Sequence, residues 1–142
     1  MNDQLIPMSY DDGLAVATLW QEARGSSREE QLAVAHVIRN RMAKRYTSDG
    51  TVVGTVLHPW QFSGWMDDAI ALESLRYAAT DAMSLRSIWN EALKLFDPTK
   101  GAVLYYSPAS MVPEGSVPNW VTGLAHLTLE TPGFRFYSVS AS

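Results

Sequence analysis

The chain has 142 residues, 46% of them apolar and 18% charged, a composition that suits one globular domain and excludes a disordered one. Its net charge of −4 and pI near 5.2 leave no electrostatic footprint for nucleic acid. Cysteine is absent, which excludes a disulfide scaffold and thiolate metal sites while leaving the redox compartment open.

In chain order, the first helix is expected to start after Asp11-Asp12, which can cap it, and to run to about Ala23, with Gly25 as its stop. Ser27-Arg28-Glu29-Glu30 reads as a capping box opening the next helix. Val34, Ala35, Ile38 and Met42 follow helical spacing there, so Arg39, Arg41 and Lys44 of the basic run "RNRMAKR" are expected on a solvated face. The two helices form a hairpin around "RGSS". Residues 46–65 are irregular, punctuated by Gly50, Gly54, Pro59 and Gly64, with a short helix expected over 52–57. Residues 67–96 read as two helices with a break near Ser84. "FDPTKGAVLYY" ends the second, turns at Lys100-Gly101 and enters an extended run. "AVLYYS" and "FRFYSV" are expected to pair as a small antiparallel sheet. The predicted class is α+β, mostly helical, as one domain over residues 1–142.

One carboxylate on the first helix stands out. Ala15, Thr18, Leu19 and Glu22 share a face, so Glu22 extends a weakly polar stripe. It also sits near the helix C-terminus, where the macrodipole is negative and free carbonyls gather. Both settings disfavour its ionised form and raise its pKa, as a general acid for glycosidic cleavage requires. The plainer alternative is a surface ion pair with Arg24 or Arg28.

"WQEARGSSREEQLAVAHVIRNRM" resembles the opening motif of the SleB/CwlJ-type cell-wall hydrolases, a family of spore-cortex and phage lytic enzymes. Trp20, Glu22, Ala23, Arg24, Gly25, Gln31, Ala33, Val34, Ala35, Val37, Ile38, Asn40 and Arg41 fit that motif. Gln61, Phe62 and Ser63 match a later segment, "GAVLYYSPA" a strand with one inserted residue, "PNWV" a Trp-bearing segment, and "GFRFYS" the terminal strand. The matches come in order over roughly residues 14 to 138. The resemblance implies a lysozyme-like catalytic domain that cleaves peptidoglycan glycan strands, with Glu22 as the catalytic acid. This chain departs at Ser26, where the family usually has an acid, and at Arg135, where it often has His.

A hydrolysing glycosidase needs a second carboxylate about 5 Å from the acid, or roughly 6.5–9.5 Å for inversion. Asp67, Asp68, Glu73, Glu114 and Glu130 are candidates, though Asp67-Asp68 reads as a helix cap and Glu73 as an ordinary helix residue. A single acid suffices if the muramoyl C6 hydroxyl attacks the anomeric carbon, the lytic transglycosylase route, with muramidase hydrolysis as the alternative. Trp60, Phe62, Trp65, Tyr105, Tyr106 and Trp120 are candidate sugar platforms, and Gln61 and Ser63 candidate partners for acetamido groups. Tyr105 and Tyr106 are adjacent on a strand, so they should face opposite ways. A zinc amidase is disfavoured because His36, His58 and His126 are scattered. No nucleophile elbow or phosphate loop is found, and no metal or cofactor is expected. A non-catalytic glycan-binding module is the alternative from another class.

The start, "MNDQLIPMSYDDG", lacks the basic and apolar regions of a secretory signal, and no run approaches roughly 18 apolar residues, so no membrane insertion is expected. Synthesis in the cytoplasm and release through holin-made holes as a phage lysin, or delivery by a phage particle, follows as the expectation. A Gram-negative wall is the expected target, with no separate wall-binding domain. The oligomeric state is left open.

Overall fold

The computed structural model describes residues 8–80 and 83–140; the expectation about a leader over residues 1–7 lies outside them. Five helices, α1 (Tyr10–Ala23), α2 (Arg28–Lys44), α3 (Val52–Val56), α4 (Asp68–Thr80) and α5 (Met83–Glu91), precede a three-stranded antiparallel sheet. Its strands β1 (Leu104–Tyr106), β2 (Ala125–Glu130) and β3 (Arg135–Val139) lie in the order β1-β3-β2. The α+β, mostly helical class is as expected.

α1 runs through the middle of the molecule, packing against α2, α3, α4 and α5. Ala15, Val16, Ala17, Thr18 and Leu19 are all fully buried, so the helix is covered on every side rather than along one stripe. α2 is likewise buried over residues 32–38. The capping box at Ser27 forms as expected: its hydroxyl accepts from the Glu30 amide while Glu30 Oε1 accepts from the Ser27 amide. α1 is capped differently from the expectation. Ser9, not Asp11 or Asp12, accepts from the Asp12 amide at 3.1 Å, and the Asp12 carboxylate accepts from Trp89 Nε1 at 3.1 Å, tying α5 to the start of α1.

"AVLYYS" and "FRFYSV" pair as expected, with Tyr105 opposite Phe136. The third strand, β2, was not foreseen, because a bulge between Leu127 and Leu129 breaks its two-residue alternation. Asn40 of α2 donates to Asp97 Oδ2 at 2.9 Å and to the Ala102 carbonyl at 3.0 Å, fixing the lead into β1. Glu30 fixes the other end, its Oε2 accepting from Thr131 Oγ1 at 2.6 Å and the Gly133 amide at 2.7 Å in the β2–β3 turn.

Two cations of "RNRMAKR" correct the expected solvated face. The Arg39 guanidinium stacks 3.6 Å from the Trp89 ring centroid and is half-buried, which lowers its pKa to about 10. Arg41 is only 4% exposed, since it lies on the inward stripe one turn beyond Val34 and Ile38. Lys44 is exposed, as expected.

Candidate active site

Glu22 occupies the last turn of α1, half-buried, where α1 meets α2, β1 and the segment around residues 60–65. The Tyr105 hydroxyl donates to Glu22 Oε1. Burial pushes the Glu22 carboxyl above the usual carboxylate range, while the Tyr105 hydrogen bond and the positive charge of Arg41 pull the other way without cancelling it. Burial and the neighbouring carboxyl raise Tyr105 well above an ordinary phenol, so it stays a neutral donor.

Neither proposed surface ion pair forms. Arg24 turns back to its own helix, donating to the carbonyls of Trp20 at 3.0 Å and Gln21 at 3.2 Å and lying over the Trp20 ring. Arg28 bonds Glu91. The Arg24 bonds, with Gln31 donating to the Ala23 carbonyl at 3.3 Å, satisfy three of the helix-end carbonyls invoked in the sequence argument. Burial is therefore the main cause of the raised Glu22 pKa.

Tyr105 and Tyr106 face opposite ways, as strand geometry requires. Tyr105 packs on Phe134 and Phe136 beside Glu22. Tyr106 and Trp120, both half-exposed, pack on the buried Tyr137 on the other face, so they are not gathered with Glu22. Trp60 is 78% exposed and held at φ +68°, a conformation a bulky residue seldom adopts. Gln61 accepts from Arg41 Nη1 at 3.2 Å, and Ser63 is exposed at the start of a 3-10 turn. Trp65 is half-buried, its Nε1 donating to Thr18 Oγ1 at 3.1 Å, one turn before Glu22. Phe62 corrects the expectation of a sugar platform: it is 3% exposed and packed in the core, with no free face for a ligand.

Gly64 makes the approach of this segment to α1 possible. A Cβ there would fall 2.4 Å from Gln21 Oε1, immediately beside Glu22. Sequence reasoning missed this contact and the burial of Arg41. The signal for Arg41 was its place on the helical stripe of Val34 and Ile38; Gly64 carried no local signal.

Three of the five candidate second carboxylates are engaged elsewhere and the other two are exposed. Asp67 Oδ1 caps α4, accepting from the amides of Ala69 and Ile70. Asp68 and Glu114 are exposed, Glu73 pairs with Arg76, and Glu130 pairs with Arg135. Arg135 also donates to the Thr131 and Phe134 carbonyls, so where the family often has His this chain has a turn-stabilising residue. His36 faces Asp97, His58 is exposed beside its own Pro59 carbonyl, and His126 meets Ser140. Among the described residues no three His, Asp or Glu converge as a metal site.

The sequence profile of the Cell Wall Hydrolase family (Hydrolase_2) matches residues 25–137. The chain belongs to that family. The match begins three residues after Glu22, so Glu22 enters by the motif and by its setting. Spore cortex-lytic enzymes of Oceanobacillus iheyensis and Halalkalibacterium halodurans are each 32% identical over 106 residues, 72% of this chain. The aligned stretch is 36% of the first relative and 30% of the second, so the chain spans about a third of the length of these relatives. The catalytic domain of the germination-specific lytic transglycosylase SleB from Bacillus anthracis superposes with a TM-score of 0.69 at 22% identity, covering 94% of this chain and 100% of that one. The Bacillus cereus SleB catalytic domain gives 0.68 at 23%, covering 96% and 98%. The chain has the SleB/CwlJ-type fold. Among the described residues no helix is long and apolar enough to cross a membrane.

Proposed function

We propose that this hydrolase domain cleaves peptidoglycan glycan strands between N-acetylmuramic acid and N-acetylglucosamine as a lytic transglycosylase, with Glu22 as its acid and base. The observation that carries this reading is the buried Glu22 carboxyl, raised in pKa and holding the Tyr105 hydroxyl on Oε1. Oε1 is thereby occupied, leaving Oε2 to carry the proton. Glu22 donates it to the glycosidic oxygen as the bond to the muramoyl C1 breaks. The muramoyl C6 hydroxyl then bonds C1 and yields its proton to the Glu22 carboxylate. Atoms and charge balance without water, and the product ends in 1,6-anhydromuramic acid. The cation of Arg41 acts on Glu22, and this route needs no second carboxylate. Trp60, Gln61, Ser63 and Trp65 serve as the adjoining glycan contacts.

The likeness to the catalytic domain of the Bacillus anthracis germination-specific lytic transglycosylase SleB supports the same chemistry. A wall-lytic role of the phage-lysin kind, acting on the wall from the periplasmic side, rests on the family resemblance alone. It is tested by adding the protein to outer-membrane-permeabilised cells and following turbidity.

The chemistry is tested by mass spectrometry of fragments released from purified peptidoglycan by wild type and Glu22→Gln. Anhydromuropeptides from wild type and a loss of about 10²–10⁴-fold in the variant are expected. Hydrated muramic ends would convert the reading to muramidase, free stem peptides to amidase. Equal cleavage by the variant would remove Glu22 from the chemistry, and no cleavage by either would favour a binding module.

A further inference from the structure

Arg41 is a deeply buried cation without a salt-bridged partner among the described residues. Taking a guanidinium out of water is costly unless its charge is met. Its hydrogen bonds go instead to neutral acceptors, from Nε to the Val103 carbonyl at 2.6 Å and from Nη1 to Gln61 Oε1 at 3.2 Å. The rings of Phe62 and Tyr46 lie 4.9 and 6.0 Å from its guanidinium carbon. Filling this space on the Val34–Ile38 stripe would need only an apolar side chain, so packing does not account for the charge.

The two acceptors do. Val103 immediately precedes β1, whose Tyr105 hydroxyl reaches Glu22. Gln61 opens the segment whose Gly64 rests on Gln21, the neighbour of Glu22. We propose that Arg41 is a positioning residue of the active site, whose guanidinium holds both walls around Glu22 and supplies the fixed positive charge against which Glu22 releases and recovers its proton. This rests on the reading of Glu22 as acid and base. An acid that cannot ionise cannot donate, and burial alone drives Glu22 toward that limit. The cation of Arg41 favours the ionised forms of both Glu22 and Tyr105 and so opposes it.

Several charges on the other elements packed on α1 are engaged elsewhere. On α4, Glu73 pairs with Arg76, Tyr77 bonds Ser84, and Asp68 is exposed. Asp67 caps that helix, and Glu91 of α5 pairs with Arg28. Past α3, His58 is exposed, and Arg24 lies over Trp20. Arg41 itself is faced by Tyr105, Tyr46 and Glu22, and of these the Glu22 carboxylate supports its charge against burial.

The test compares wild type, Arg41→Met and Arg41→Lys. Glu22 is titrated directly by carboxyl ¹³C NMR, its signal assigned by loss in Glu22→Gln, alongside peptidoglycan turnover and thermal unfolding. In folded Arg41→Met the Glu22 midpoint is expected to rise by about one pH unit, with turnover down by roughly tenfold or more. Arg41→Lys, which keeps the charge, should hold the midpoint near wild type. A folded Met variant whose midpoint stays or falls overturns the proposal, as does a Lys variant shifted as far as Met. If the Met variant does not fold, the Lys variant decides alone: a midpoint raised by about one pH unit overturns the proposal, and one held near wild type with turnover retained supports it. Variants with the expected shifts but a wild type that does not cleave glycan would remove the lytic reading and leave the Arg41–Glu22 coupling standing; cleavage by wild type without the shifts does the reverse.

Discussion

Replacing Tyr105 by Phe removes one oxygen and keeps the ring that packs on Phe134 and Phe136 at centroid distances of 5.6 Å. The fold should survive. What is lost is the hydroxyl that donates to Glu22 Oε1. A hydrogen bond to an ionised acceptor is worth about 1.5–3 kcal/mol and one to a neutral acceptor about 0.5–1.5 kcal/mol. The bond therefore favours the carboxylate by roughly 1–1.5 kcal/mol, or about one pKa unit. Without it the Glu22 pKa, already raised by burial, rises further. On the proposed mechanism Glu22 must be protonated to act, so activity should fall as pH climbs through its pKa. The alkaline limb of kcat/KM on peptidoglycan should move up by about one pH unit. The plateau rate should fall about tenfold, because the carboxylate left after proton donation has lost its donor. A limb that stays in place or moves down, in a variant with unchanged unfolding temperature, would refute the assignment of Tyr105 as the partner that tunes Glu22.

Gly64→Ala places a Cβ 2.4 Å from Gln21 Oε1 and should destabilise by about 1–3 kcal/mol, read as a lower urea midpoint; an unchanged midpoint would show that the segment is not seated on α1 as described. Glu30 is held below the usual carboxylate range first by its Thr131 bond, against some burial, with help from Gly133 and Ser27. Its stabilisation is therefore present above the unfolded value near 4.5 and lost as pH falls through the lower folded value. Glu30→Gln should cost about 1–2 kcal/mol at neutral pH and flatten the loss of stability below pH 4.5, measured by denaturation across pH. Trp60→Ala should leave stability within about 0.5 kcal/mol while weakening glycan binding by about tenfold; Phe62→Ala should cost about 3–5 kcal/mol of stability. Opposite outcomes for the pair would reverse which of these neighbours meets the sugar.

Local features of the sequence were readable where the physics is local. The Ser27–Glu30 capping box, the hairpin at Gly25, the short helix after Thr51 and the pairing of "AVLYYS" with "FRFYSV" each depend on neighbours within a few residues or on simple strand alternation. The motif singled out Glu22 as the candidate acid. Tertiary structure decided what surrounds it. Tyr105 lies 83 residues away, and no local pattern reports that its hydroxyl ends on Glu22. Arg41 reads as solvated when charge is taken as the guide to exposure, yet its stripe turns it inward to acceptors at Val103 and Gln61. Phe62 and Trp60 are chemically alike in sequence, and only packing makes one core and the other surface. The helix-end argument for the Glu22 pKa gave the right direction for a secondary reason. Arg24 and Gln31 satisfy three of those carbonyls, and the dominant cause, burial, arises where a central helix is enclosed by segments distant in the chain.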